Sequence, residues 1–185
     1  MKKLLLCLTA ICFFSLASYS QFSEGVTGHV KIDDINGESN QVEHEDEIEI
    51  FGLSFMTSQM SRQATVGKGR TRSRATMSPI TVNKFLDSAS PYLLLASLQG
   101  KSFPDVVITL SKNSGPSRLD YLVITLENVT ISGVDATYGG PDSTGLEQEK
   151  ISFQFESIKM LYIEQNNDGS DGDEHEIEYD IAAGA

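Results

Sequence analysis

Apolar and polar positions alternate along several short stretches of the chain, which predicts strands joined by polar turns. The first strand is predicted at residues 26–35 and is followed by the polar turn 36–40. The further predicted strands are 48–55, 77–86, 106–110, 119–131, 151–155 and 158–162. The apolar positions change phase between Ile50 and Phe51 and again near Glu156-Ser157. A change of phase by one residue is what a β-bulge produces in a bent sheet.

One segment has the start and stop signals of a helix. Ser90 is suited to the N-cap, Pro91 to the first helical position, and Gly100 to the C-terminal end. Residues 92–98 are leucine-rich and apolar nearly all round, so we expect this helix to lie buried against a sheet. Because strands precede and follow it, the order of elements favours an antiparallel β-sandwich or barrel with one packed helix.

The first 20 residues have the pattern of a secretory signal peptide. Lys2 and Lys3 precede an apolar run at 4–16, and small and polar residues then lead to a predicted cut before Gln21. The alternative is an uncleaved membrane anchor, but the apolar run is short for a helix that spans a bilayer. The sequence therefore predicts an exported protein without stable membrane insertion after cleavage.

Composition narrows the range of functions further. The chain has 185 residues, with 14 Lys and Arg against 26 Asp and Glu, for a net charge of −12. This length suits one globular domain, and the acidic balance argues against sequence-independent binding of nucleic acid. Removing residues 1–20 leaves 165 residues with a net charge of −14 and no cysteine, since Cys7 and Cys12 lie in the leader. A mature chain of this kind has no disulfide, zinc–thiolate site or cysteine nucleophile.

Candidate catalytic and metal-binding residues are few. His29, His44 and His175 are scattered over different segments, and no nucleophile elbow, paired zinc-ligand motif or phosphate-binding loop is present. We therefore predict no enzymatic activity, no cofactor and no metal site. Residues 168–173 match a calcium-binding loop only in part, and a solvated acidic tail with one edge strand is favoured for 164–185.

A basic segment stands out from this acidic chain. Residues 60–76 contain five basic side chains and no acidic one; these are Arg62, Lys68, Arg70, Arg72 and Arg74. We hypothesise that they form a subunit interface with acidic surface of a second copy, where arginine–carboxylate pairs fix register. A solvated loop is the simpler alternative, and a nucleic-acid-binding loop is a minor third one.

Five collinear blocks resemble the hemolysin-coregulated protein (Hcp) family, which forms the inner tube of type VI secretion systems. The most specific block is NKFLDSASPYLLLASLQGK at 83–101; the others are VKIDDINGES (30–39), IEIFGLSF (48–55), LDYLVITLENVTISGV (119–134) and EKISFQFESIKMLY (149–162). The resemblance implies a small β-barrel of two antiparallel sheets with one helix at its side. It also implies subunits that form hexameric rings, rings that stack into a tube, and a long loop, here 60–76, that reaches a neighbouring subunit. It brings no catalytic residues.

From these observations we expect a signal peptide at 1–20, an Hcp-like β-barrel domain at 21–163 and an acidic extension at 164–185. The expected function is that of a secreted, non-enzymatic tube protein. Its expected partners are its own copies, secretion-system components and effectors, and not nucleic acid. Family members leave the cytoplasm without a secretory signal and end near Tyr162. The alternative is therefore an exported Hcp-like binding domain, periplasmic or extracellular, that works without a contractile machine.

Overall fold

A computed structural model describes residues 28–59, 75–114, 117–139, 147–181 and 183–184 of the chain. The predicted signal peptide lies outside these residues, as do all five basic side chains of the predicted interface. The strands are β1 (Gly28–Ile32), β2 (Ile48–Ile50), β3 (Gly52–Ser54), β4 (Thr57–Ser58), β5 (Thr76–Met77), β6 (Ile80–Phe85), β7 (Ser102–Ser114), β8 (Ser117–Thr137), β9 (Gln148–Gln154), β10 (Ser157–Gln165) and β11 (Asp171–Asp180), and the helix is α1 (Ser90–Gln99).

The strands form a large antiparallel sheet and a small one. Seven strands of the large sheet follow the order β2-β1-β7-β8-β9-β6-β3, while β10 pairs with β8 and β11 pairs with β10. The small sheet consists of β4 and β5. The predicted fold class is confirmed: the described residues are mostly strand, in two sheets, with a single helix. No helix in these ranges is long and apolar enough to cross a bilayer.

Both phase changes fall where one strand ends and the next begins, so the predicted β-bulges at these two places are wrong. The path of the large sheet is not closed by pairing; it ends at β2 and β3, which are joined directly through Phe51. At Phe51 the chain stops pairing with β1, the partner of β2, and starts pairing with β6, the partner of β3. The Phe51 N–H donates to the Asn83 carbonyl at 2.9 Å. Similarly, β9 and β10 both pair with β8 and are separated opposite Asn128, whose φ is +51°. These breaks let one sheet bend over a common core.

The core consists of the alternate side chains that face inward from the strands. Within β6, buried and half-buried residues alternate strictly, and β9 alternates nearly as well. The inward side chains form one cluster, whose members include Val30, Ile48, Ile50, Ile80, Val82, Val106, Ile108, Ile124, Leu126, Ile151 and Phe153. From α1, Leu93 and Ala96 join the same cluster.

The helix ends where the sequence predicts, but it begins one residue earlier, at Ser90 instead of Pro91. Gly100 ends it in the left-handed conformation, with φ of +61°, and its N–H donates to the Ser97 carbonyl. The prediction that Ser90 caps the helix is wrong, because Ala89 holds that position and no side chain caps it. Instead, the Ala89 N–H donates to the Asp87 carboxylate at 2.9 Å, and the Ser90 hydroxyl turns towards the sheet.

Candidate interaction surfaces

The described part of the chain stops just after β4 and resumes just before β5, the two strands of the small sheet. Thr57 pairs with Met77 and Ser58 pairs with Thr76, and the two hydroxyls of the second pair lie 2.9 Å apart. In the sequence, the predicted interface residues lie between β4 and β5, and all five are outside the described ranges.

An apolar groove of about 440 Å³ lies between the small sheet and the β10–β11 hairpin. Its side chains come from both sides; they are Phe55, Thr57, Ala75, Thr76, Met77, Ile158, Met160, Ile177, Glu178, Tyr179 and Ile181. Phe55 is 40% exposed and Ile177 is 61% exposed. Large apolar side chains that stay open to solvent mark a surface suited to binding another molecule.

Strand β11 confirms the predicted edge strand and carries an acidic face. Among the described residues it pairs with β10 alone, so its second edge has no strand beside it. Successive side chains of a strand point to opposite faces. One face of β11 therefore presents a row of exposed carboxylates, which are those of Glu174, Glu176, Glu178 and Asp180.

Few cations balance this row within the described ranges. Glu176 pairs with Lys159 at 3.0 Å, and this hydrogen bond and the carboxylate charge raise the pKa of Lys159. On the other face of β11, His175 lies 2.8 Å from Glu164. Glu178 lies opposite Lys159 and its charge also raises the pKa of Lys159, whereas Glu174 has no ion-pair partner in the part of the chain that the structure describes. The edge of the sheet thus keeps a strongly negative potential.

The helix also presents an unpartnered apolar surface. The prediction that α1 is buried is wrong for most of its side chains, because only Ser90, Leu93 and Ala96 face the sheet. Tyr92, Leu95 and Leu98 form an i, i+3 row and are 59%, 50% and 77% exposed. Leu94 adds a fourth apolar side chain at 48%. We call these four side chains the helix row.

A buried ion pair fixes the start of this helix to the sheet. The Lys84 Nζ lies 2.9 Å from the Glu149 carboxylate and 2.7 Å from that of Asp87. It also donates to the Ser90 hydroxyl, which in turn donates to Glu149 at 2.6 Å. Burial alone would raise the pKa of Glu149, but hydrogen bonds from Ser90, Tyr138 and Lys84 lower it below its usual value. The hydrogen bond to Glu149 raises the pKa of Tyr138 to about 12.

The sequence analysis missed this cluster, although a signal for it exists. Lys84 follows Ile80 and Val82 at the buried positions of β6, and Glu149 precedes Ile151 and Phe153 at those of β9. A charged residue in phase with core residues needs a buried partner of opposite charge. Lys84, Ser90 and Glu149 form their hydrogen bonds with one another inside the cluster, so we assign the cluster a structural role in holding α1 on the sheet.

Two of the three histidines are brought together, which the sequence analysis did not expect. His29 and His44 stack with ring centroids 4.4 Å apart and planes 4° apart. His44 contacts Glu47 at 2.8 Å and Asp120 at 3.0 Å, whereas both ring nitrogens of His29 are buried without a hydrogen-bond partner.

The pKa values of the two rings are shifted in opposite directions. Burial, together with the charges of His44 and Arg118, lowers the pKa of His29 to about 4. Burial would also lower the pKa of His44, but its hydrogen bonds to Glu47 and Asp120 and their charges raise it. His44 therefore joins the 36–47 loop to β8 through its contact with Asp120.

The calcium-like segment forms the turn between β10 and β11. The Asp168 carboxylate accepts hydrogen bonds from the Ser170 N–H and hydroxyl, which lower the pKa of Asp168. Gly169 takes a φ of +88° in this turn. Within the described ranges, no group of three or more His, Cys, Asp or Glu side chains is arranged to hold a metal ion.

Comparison with known proteins identifies the fold and the family. The family model described as type VI secretion system effector, Hcp, matches residues 29–162. Protein hcp1 of Pseudomonas aeruginosa is 30% identical over 141 residues, which cover 76% of this chain and 85% of that protein. A solved type six secretion system protein superposes with a TM-score of 0.78 at 22% identity, covering 86% of this chain and 98% of the other. A type VI secretion system effector from Yersinia pestis gives a TM-score of 0.64 at 26% identity, with coverages of 83% and 98%. The chain therefore belongs to the Hcp family of type VI secretion system effectors.

Proposed function

We propose that this protein is a non-enzymatic structural subunit that assembles with its own copies into hexameric rings, and that these rings stack into a tube for type VI secretion. Membership of the Hcp family supports the link to this system. The observation that carries the proposal of self-assembly is the helix row, where Tyr92, Leu94, Leu95 and Leu98 remain exposed on a ten-residue helix.

The helix row is a strong candidate for an interface because burying its apolar side chains would contribute a large part of the free energy of association. Burying one leucine side chain stabilises a complex by roughly 1.5–3 kcal/mol. Covering three or four such side chains offsets much of the loss of freedom on association, which costs about 4–15 kcal/mol. A head-to-tail contact between different surfaces of identical subunits closes into a ring when the rotation fits.

The basic residues supply the second part of the proposed interface. Arg62, Lys68, Arg70, Arg72 and Arg74 carry five positive charges on a mature chain with a net charge of −14. Acidic subunits repel one another unless complementary charges meet at the contact. In this proposal the basic segment sets the register between neighbours, and secretion-system components and effectors bind the assembled ring.

The N-terminal pattern favours a second candidate function. Residues 1–20 have the order of a signal peptide, and 164–185 extends past the region that the family model matches. On this alternative the protein is exported through its leader and acts as an Hcp-like binding domain in the periplasm or outside the cell. Detection of the mature N-terminus at Gln21 by mass spectrometry would support export by this route.

Substitution of the helix row tests the main proposal. We expect the purified protein to have the mass of six subunits in size-exclusion chromatography with light scattering. Leu95→Ser combined with Leu98→Ser should shift it to a monomer without loss of secondary structure. Val42→Ser is the matched control, since Val42 is 76% exposed but lies in the loop before β2 and not on α1. A wild-type monomer at tens of micromolar would contradict the ring and favour the exported binding domain.

A further inference from the structure

We propose that residues 36–47 form a loop that acid releases from the sheet, because its one large buried side chain, that of His44, is stacked on the buried ring of His29. We call this segment the histidine loop. It lies between β1 and β2 and reaches β8, where His44 contacts Asp120 at 3.0 Å. These contacts lie within a single chain, so the proposed release does not depend on self-assembly.

His44 is the only large side chain that the histidine loop buries. Of its residues, Ser39 and His44 are buried, whereas Val42 is 76% exposed. Backbone hydrogen bonds, such as that from the Gly37 N–H to the Asp46 carbonyl at 2.7 Å, tie the loop to itself and not to the sheet. A segment with few buried apolar contacts opens at a low cost in free energy. The closed position of the loop therefore depends on how well His44 is held.

The surface beneath His44 holds polar groups that water would satisfy. His29 is fully buried, and neither of its ring nitrogens has a hydrogen-bond partner in the part of the chain that the structure describes. The Ser111 hydroxyl, also buried without such a partner there, lies opposite Asp120 in the pairing of β7 with β8. A buried polar group without a hydrogen bond is unfavourable, and access of water removes the penalty. Opening of the loop would therefore hydrate the His29 ring.

The charged groups around His29 come from four elements of the fold. They are Lys31 on β1, Glu49 on β2, Arg118 and Asp120 on β8, and His44 in the loop. Lys31 and Glu49 are exposed, and the β7 residue opposite His29 is a threonine, which does not titrate. Burial, together with the charges of His44 and Arg118, lowers the pKa of His29 to about 4, and the charge of Asp120 opposes this shift only in part. The closed loop therefore disfavours protonation of His29.

The two rings should respond to pH in opposite ways. Burial would lower the pKa of His44, but its hydrogen bonds to Glu47 and Asp120 and their charges raise it. The hold of His44 on the loop is therefore complete below pH 6.5 and is lost at higher pH. The contribution of neutral His29 to the closed state is complete above pH 6.5 and is lost as the pH falls towards 4. In acid both stacked rings are cationic, and their repulsion favours release of His44 to water.

Release of the loop would break identifiable backbone hydrogen bonds. Movement of His44 should break the bonds that its own N–H and carbonyl form, with the Gln41 carbonyl at 2.9 Å and the Glu47 N–H at 3.2 Å. It should also free the Ser88 N–H, just before α1, which donates to the Glu38 carboxylate at 2.9 Å. The amides of β8 and β9 that bond within the large sheet are exposed only when the sheet itself unfolds. Hydrogen exchange at both sets of amides separates release of the loop from global unfolding.

Hydrogen–deuterium exchange followed by mass spectrometry tests the release. Rates for the purified protein at pH 7.5, 6.5 and 5 are divided by the intrinsic exchange rates, which removes the direct effect of pH. The histidine loop and the turn with Ser88 should be most protected near pH 6.5 and exchange faster at pH 5, while β8 and β9 stay protected. From pH 7.5 to pH 5, protonation of His29 should raise the opening of the loop roughly 30-fold. The variant His29→Phe keeps a ring on His44 and should lose this factor.

A third histidine supplies the matched control. His175→Phe makes the same change on β11, where the side chain is 59% exposed, and should leave exchange of the loop as in the wild type. Equal acid-induced exchange in the wild type and His29→Phe would overturn the inference. Protection of the loop that does not change with pH would also overturn it, as would loss of protection in the loop, β8 and β9 together.

A second measurement covers the case in which His29→Phe does not fold. Carbon-13 NMR of the histidine rings in the wild type follows the protonation of His29 directly. This protonation should occur over the same pH range as the loss of protection in the loop, because the closed loop disfavours it. Protonation of His29 at a pH where the loop stays protected would overturn the inference. A monomeric wild type would contradict the proposed ring alone, since every group involved belongs to one chain.

Discussion

Lys84 and Glu149 form an ion pair beneath the start of α1, with 2.9 Å between Nζ and the carboxylate and both side chains 1% exposed. Lys84 lies on β6 and Glu149 on β9, so the pair joins two neighbouring strands. Through Ser90 and Asp87 it also holds the turn that leads into the helix. The buried ion pair therefore fixes the position of the helix that carries the helix row.

Removing one partner of this pair should destabilise the fold strongly. Lys84→Met keeps most of the volume but leaves the Glu149 carboxylate buried without its cation. We expect the free energy of unfolding in urea to fall by about 3–5 kcal/mol. Lys159→Met is the matched control, because its partnership with Glu176 is about half exposed, and it should cause a much smaller loss. Equal losses in the two variants would contradict the role of Lys84 as a buried anchor.

His29 should make the protein sensitive to mild acid. Its pKa is about 4 in the folded protein against an ordinary value of 6.5, so the unfolded chain binds a proton that the folded state excludes. Its contribution to stability is complete above pH 6.5 and is lost as the pH falls towards 4. At pH 5 the loss is about 2 kcal/mol. The raised pKa of His44 acts in the opposite sense, since its contribution is complete below 6.5 and is lost at higher pH.

The variant His29→Phe separates these two effects. It keeps a ring to stack on His44 and removes the group that resists protonation. When the pH is lowered from 7.5 to 5, the free energy of unfolding of the wild type should fall by about 2 kcal/mol more than that of the variant. Urea unfolding at the two pH values gives this difference. The same pH dependence in variant and wild type would show that His29 is not the acid-sensitive group.

Gly37 should not tolerate a side chain. Its N–H donates to the Asp46 carbonyl at 2.7 Å, and an added Cβ would lie 2.4 Å from the Glu47 carbonyl oxygen. Gly37→Ala must therefore displace the loop that carries His44 and Glu47, and we expect it to cost about 1–3 kcal/mol in urea unfolding. At Gly133, a Cβ would meet Ser152 only at 3.8 Å. Gly133→Ala should leave stability unchanged or raise it, and a similar loss in both variants would contradict the steric explanation.

Local signals in the sequence predicted the helix and most of the strands, although β7 and β8 are longer than predicted. Gly100 placed the end of α1 correctly and Pro91 placed its start within one residue, because each acts through the conformation of its own backbone. Strict alternation located Ile151 and Phe153 as buried positions of β9, whereas in β6 the third buried position belongs to Lys84 and not to the apolar Phe85. The change of phase at Phe51 marked the right place but not the right structure: a bulge was predicted, whereas the chain there stops pairing with β1 and starts pairing with β6.

Contacts between distant residues were beyond the reach of these signals. Lys84 and Glu149 are 65 positions apart, and only the pairing of β6 with β9 brings them together. The stacking of His29 on His44 depends in the same way on how the 36–47 loop packs against β1. The burial of α1 was also predicted wrongly, because a leucine-rich sequence does not show which of its side chains the sheet covers.

Sedimentation velocity of the purified wild-type protein tests self-assembly most directly. The subunit account predicts one boundary with the mass of six chains at micromolar concentration, which dissociates when Leu95 and Leu98 are replaced by serine. A wild-type protein that sediments as a monomer throughout, even at tens of micromolar, would contradict it.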